Sequence, residues 1–255
     1  MILFVFEGSV AEPQIFESMN KLYFSQEEVK IICCKHDLPT LYSRLVKYGY
    51  DLFRILPLQE NGIIIPKDKR IDTLFSQIFL FFDYDFQHHG GLDYINNILA
   101  EMLDFFDDET DKGKLYINYP MVESLKYTKQ MPDNDYYHYI VTREDCVQHK
   151  FKCMAETFAY SKAKAFRFID LTKTEEQEII SNWELLKSQN VKKANYIVNE
   201  IKDYPINKDN INQGRIFSAQ KTKYVNISET VAVLNSFPIF LYDYFKSNTI
   251  DNSNP

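Results

Sequence analysis

The chain has 255 residues, of which 45% are hydrophobic and 25% charged, with 20 Phe and 18 Tyr against only 7 Gly. That length and apolar share suit one large or two modest folded domains with a real core. The balance of 29 basic to 36 acidic residues, net −7, excludes a uniformly basic nucleic-acid coat and leaves only local contact with nucleic acid open.

Residues 2–6, "ILFVF", are a continuous apolar run, as in a strand buried on both faces. Residues 12–24 place Ile15, Phe16, Met19, Leu22 and Tyr23 at helical spacing, with Pro13 in the first turn, where its missing N–H is tolerated. A second strand follows at 28–34 and a second helix at 39–49, ended by Gly49. "DLFRILPL" suits a short helix, and 59–73 reads as a loop. "QIFLFFD" is the third strand, and 92–106 is a strongly amphipathic helix. "DDETDKGK" reads as a charged turn, "KLYIN" as the fourth strand, and a further helix is expected to start near Pro120.

Strands alternating with helices imply a parallel sheet with right-handed crossovers. From about residue 128 the pattern changes. Residues 174–203, 208–221 and 227–245 read as helices, with no strand alternation. The expected organisation is an α/β domain at 1–127 with about four parallel strands flanked by helices, a mainly helical lobe at 128–245 and a flexible tail at 246–255. No apolar run approaches the ~18 residues that a membrane-spanning helix needs. "MILFVF" has no basic start and meets Glu7 at once, so it reads as a strand and not as a signal peptide. The four Cys show no C-x-x-C pair, and a reduced, cytoplasmic setting is expected.

Open parallel sheets bind ligands at the carboxyl ends of their strands. Strand one ends at Glu7-Gly8, strand three at Asp83-x-Asp85, and strand four leads into "NYPMVES" with Glu123; Glu12 opens the first helix. Carboxylates brought together repel unless a cation neutralises them. A hard divalent ion does so through one or two carboxylates plus phosphate oxygens, and ion pairs about 3.5–4 Å apart serve in-line phosphodiester attack. If the third strand continues through Asp83 and Asp85, their i, i+2 spacing sends both side chains to one face.

These features resemble the TOPRIM fold, in the version found in OLD-family and RloB-like nucleases of bacterial phage defence. The resemblance rests on "FEGSVAEPQIF" (Glu7, Gly8, Glu12, Pro13 and Phe16 in step), "FFDYD" and "INYPMVES", and covers residues 1–127. Ala11 stands where Thr is typical, removing a hydroxyl that could orient a ligand. The resemblance implies a Mg²⁺- or Mn²⁺-dependent phosphodiesterase acting on DNA or on RNA such as tRNA. Glu7, Asp83 and Asp85 form its catalytic acidic set, with Glu12 and Glu123 as further ligands. It also implies an ABC- or AAA-type ATPase as partner in anti-phage defence; a homodimer is left open. By proximity, Lys114, Lys126 and Lys112 are the candidates to meet substrate phosphate; His88 and His89, close after the aspartates, read as a solvated loop or as groups that contact phosphate or transfer a proton.

Two other functions are compatible with the residues. An Asp-x-Asp after a buried strand also holds Mn²⁺ in nucleotide-sugar transferases. A degenerate TOPRIM-like lobe could instead serve only as an interaction subunit. Elsewhere, Cys146, His149 and Cys153 fall at i, i+3, i+7 on one helical face without a fourth ligand, and read as buried thiols beside an ordinary His. "LKSQNVKKANY" and "SAQKTKY" read as solvated helix faces. "VAVLNSFPIFLYDYF" is too apolar for a free helix and is expected to pack on the sheet lobe or on a partner, which would restrain the enzyme.

Overall fold

In the computed structural model of the chain, residues 1–64 and 73–246 are described. They form two compact units, Met1–Val122 and Glu123–Pro255. Residues 65–72 of the expected 59–73 loop and 247–255 of the expected tail lie outside the described residues, while Lys246, expected in the tail, is helical.

The first unit is an α/β layer structure. Its strands are β1 (Ile2–Phe6), β2 (Val29–Cys33), β3 (Gln77–Asp83), β4 (Asp107–Asp108) and β5 (Gly113–Asn118). Its α-helices are α1 (Ala11–Tyr23), α2 (Leu38–Lys47) and α3 (Leu92–Phe105). The strand order is β2-β1-β3-β5-β4. β2, β1, β3 and β5 run parallel, as their spacing by helices predicts; β4 runs antiparallel to β5. The apolar runs of β1 and β3 are buried on both faces, because helices cover both sides of a parallel sheet. Phe4 lies 5.5 Å from Phe79 and 4.2 Å from Phe16, ring centre to ring centre, so strand and helix aromatics form one core. Burying a Phe of this kind contributes about 1.5–3 kcal/mol.

Two expectations change here. The charged turn after α3 contains the short strand β4, which closes a tight antiparallel pair on β5. The helix expected near Pro120 is only a 3-10 segment, Val122–Lys126.

The second unit is mainly helical and is built on α6 (Glu176–Asn199), preceded by α4 (Arg143–Val147) and α5 (Phe151–Phe158). α7 (Gln213–Gln220) runs through a π-helical segment, Lys221–Val225, into α8 (Asn226–Ser228), and α9 (Ser236–Lys246) ends the described chain. Two three-residue strands, β6 (Ile140–Thr142) and β7 (Thr230–Ala232), pair antiparallel, where the sequence pattern shows no strand alternation. α9 packs on α6 within this unit, and Phe237, Phe240 and Leu241 are buried. The apolar segment therefore supplies the core of its own unit, which removes the basis for reading it as a partner surface.

Cys146, His149 and Cys153 do not share a helical face. Cys146 lies buried on α4, His149 adopts φ 56° in the turn, and Cys153 lies on α5, exposed. The Lys-rich stretch of α6 is not wholly solvated. Lys193 is fully buried, and its Nζ donates to the Tyr139 carbonyl at 2.8 Å and lies 4.5 Å from the Tyr136 ring centre.

Candidate active site

After β1 the chain crosses to β2 on one side, and after β2 it returns to β3 on the other. The gap between the carboxyl ends of β1 and β3 is thus the switch point of the sheet, where this architecture opens a crevice. Glu7 follows β1 and Asp83 ends β3, so the two acids flank that point.

Glu7 continues the sheet by other means. Its N–H donates to the Phe81 carbonyl at 3.1 Å, the last backbone bond from β1 to β3. The next donor on β3, the Asp83 N–H, is met by the Glu7 Oε2 at 2.9 Å. The Glu7 carbonyl accepts from Lys35 N–H at 2.8 Å, which ties in the exit of β2. Gly8 leaves room for the Glu12 carboxylate: a Cβ there would come within 2.7 Å of Glu12 Oε2 and displace it. The Glu12 Oε1 accepts the Gly8 N–H at 3.0 Å and braces the turn into α1.

β3 ends at Asp83, and the two aspartates then part. Asp83 Oδ1 accepts from Asn118 Nδ2 at 3.1 Å, the residue paired with it on β5. Asp85 has left the strand, with φ 54°, a left-handed conformation that Asp tolerates. Its Oδ2 accepts the N–H of Leu38, the first residue of α2, at 3.2 Å. The expected shared strand face is therefore replaced by two carboxylates held by different elements, because the strand stops two residues short of Asp85.

Asp37 is the acid that sequence reasoning missed. It caps α2, with Oδ1 accepting from Thr40 N–H at 3.0 Å. The signal lay in "HDLPT", an N-cap followed by Pro in the first turn, directly after β2. Asn118, fully buried, is the other addition.

The electrostatics follow from crowding. Burial, then the charge of Asp85, push the Glu7 carboxyl well above its ordinary value, with Glu12 and Asp37 adding to it. Burial and the charge of Asp37 raise Asp85 to about 7. Among the described residues neither Glu7 nor Asp85 has a basic side chain at ion-pair distance. The donor set is oxygen-only and anionic, which fits a hard divalent cation. No group of three or more His, Cys, Asp or Glu side chains is gathered as a ready-made metal cage among the described residues. Mg²⁺ does not require one, since it binds through one or two carboxylates and completes its shell with water and phosphate.

The remaining candidates are placed elsewhere or engaged otherwise. Lys114 is the second residue of β5, at the opposite end of the strand from Asn118, and pairs with Glu109 at 3.6 Å. Lys112 lies in the same β4–β5 turn. His88 follows Asp85 and stacks on Tyr94 at 5.2 Å, with Nδ1 accepting the Gly90 N–H. Glu123 and Lys126 belong to the second unit. There Lys126 Nζ holds Glu156 at 2.6 Å over the Phe166 ring. Glu123 Oε1 pairs with Lys152 at 3.3 Å, while its Oε2 is buried without a hydrogen-bond partner.

No protein-family model matches the chain, and neither a curated protein nor a solved structure is significantly similar to it. No helix among the described residues is long and apolar enough to cross a membrane.

Proposed function

We propose that the chain is a divalent-cation-dependent phosphodiesterase of TOPRIM-like type, acting on nucleic acid. The observation that carries this reading is the placement of Glu7 beside the Asp83 amide at the sheet's switch point, where the charges of Asp85, Glu12 and Asp37 crowd its carboxyl. Mg²⁺ or Mn²⁺ held by Glu7 and Asp83 would neutralise these carboxylates and offset charge on the scissile phosphate. Glu7, with its raised proton affinity, would also exchange a proton with the attacking water. Asn118 fixes the rotamer of Asp83, and Glu12 fixes the turn that carries Gly8. The separation of Asp83 from Asp85 weighs against a nucleotide-sugar transferase, where both acids of the pair serve one diphosphate-bound ion. An ATPase partner and a role in phage defence remain part of the proposal through the sequence resemblance.

The test is incubation of the purified chain with single- and double-stranded DNA, tRNA and sugar nucleotides, with Mn²⁺ and with or without EDTA. Diester cleavage that EDTA stops supports the reading. Turnover of a sugar nucleotide alone, or no turnover at all, overturns it.

A further inference from the structure

Asp83 and Asp85 are two residues apart, yet different elements hold them. Asp83 is part-exposed and meets Asn118 on β5. Asp85 is only 7% exposed, and both of its oxygens are engaged: Oδ2 by the Leu38 N–H at 3.2 Å and Oδ1 by Gln87 Nε2 at 3.4 Å. Leu38 is itself fully buried and opens α2, so its N–H is one of the donors a helix start leaves without an intrahelical partner. Asp37 satisfies the Thr40 N–H of the same turn. The two aspartates together fasten the N-terminus of α2, where negative charge is favoured.

We infer that Asp85 is a positioning residue that anchors the start of α2 to the exit of β3, and that Glu7 and Asp83 hold the cation without it. This rests on the cation reading above. Turning Asp85 toward an ion would strip the buried Leu38 N–H of its acceptor, an outcome proteins avoid. The left-handed backbone at Asp85 already aims the chain away from the strand direction. The anchor secures α2, which follows β2 and is capped by Asp37.

The chain tolerates the neutral isostere by design of its neighbours. Gln87 Oε1 is buried without a hydrogen-bond partner. In Asp85→Asn the new amide oxygen can accept from Leu38, and a turned Gln87 amide can accept from the new NH₂. Full-length wild type, Asp85→Asn, Asp85→Ala and Asp83→Asn are compared in two measurements. In Mn²⁺ titration calorimetry, Asp85→Asn stays within about 5-fold of wild type, whereas Asp83→Asn weakens binding by about 30-fold or more. In hydrogen exchange, the Leu38 amide is protected in Asp85→Asn and exchanges about 10-fold faster or more in Asp85→Ala. Its proton resonance also moves upfield in Asp85→Asn, as the acceptor loses charge; this readout serves if Asp85→Ala does not fold. Loss of Mn²⁺ binding in Asp85→Asn equal to that in Asp83→Asn overturns the inference, as does an unchanged Leu38 amide in both Asp85 variants. If wild type takes up no Mn²⁺, the cation reading fails, and the Leu38 readouts alone decide whether Asp85 anchors α2.

Discussion

The carboxylate of Glu7 accepts the backbone N–H of Asp83 at 2.9 Å, standing in for a main-chain carbonyl at the point where β1 and β3 part. One acid thus serves both as a rung of the sheet and as a charge at its open edge. The two roles separate chemically, because an amide oxygen can fill the first and not the second.

Glu7→Gln keeps an acceptor for the Asp83 N–H and removes the charge. Thermal denaturation of this variant should remain within a few degrees of wild type, a shift corresponding to about 1 kcal/mol or less. Its Mn²⁺-dependent cleavage should fall by about 100-fold or more, the scale of losing a preorganised charge at a reacting centre. Glu7→Ala should lose both properties.

The pH dependence of stability has a defined sign. Asp85, raised to about 7 in the folded chain against an ordinary value of 3.8, binds its proton more tightly folded than unfolded. The stabilisation from that proton is fully present below about pH 4 and is lost as pH rises through about 7. Glu7 shifts in the same direction. Urea midpoints should therefore fall more between pH 5 and pH 8 for wild type than for Asp85→Asn. Saturating Mn²⁺ should flatten the part of the wild-type curve that Glu7 contributes, since it stabilises the ionised form of Glu7. Parallel curves for the two proteins would contradict the electrostatic account.

Asn118 is fully buried with its Nδ2 on Asp83. Asn118→Ala should destabilise the fold by about 1–3 kcal/mol in urea titration and lower cleavage through a misplaced Asp83. Asn118→Asp should be worse on both counts, because it sets a second carboxylate against the first.

Lys193 offers a test in the second unit. Burial holds its ammonium well below the ordinary lysine value, against the opposing charge of Asp133. The Tyr139 carbonyl it reaches also accepts from Val233 N–H at 2.9 Å. Asp133 is further bonded by the Tyr139 hydroxyl and by the Lys129 and Asp135 amides. Lys193→Met should therefore unfold within about 1 kcal/mol of wild type or be more stable. Lys193→Ala should lose about 2–4 kcal/mol to the cavity it opens.

β1 and β3 were legible because a strand buried on both faces must be continuously apolar, as "ILFVF" and "IFLFF" are, whereas β4, two aspartates in a charged turn, carries no such signal. What their ends do was legible only in part. The D-x-D spacing predicts a shared face if the strand continues, and a single left-handed residue at Asp85 breaks that condition without any signature in composition. Asp37 reads as a helix cap, which it is; that the cap borders the acidic edge depends on strand order. Short strands such as β6 and β7 carry too few residues for alternation to register. His149 in a left-handed turn splits what spacing presents as one helix. Lys193 lies among exposed lysines in sequence, and only the packing of α6 against Tyr136 and Tyr139 distinguishes it.

The most direct test of the central claim is Mn²⁺-dependent cleavage of labelled nucleic acid by the purified chain, measured for wild type, Glu7→Gln and Asp83→Asn after each is shown to be folded. The account predicts EDTA-sensitive cleavage by wild type and a loss of about 100-fold or more in both variants. No cleavage by folded wild type, or cleavage equal in all three, would contradict it.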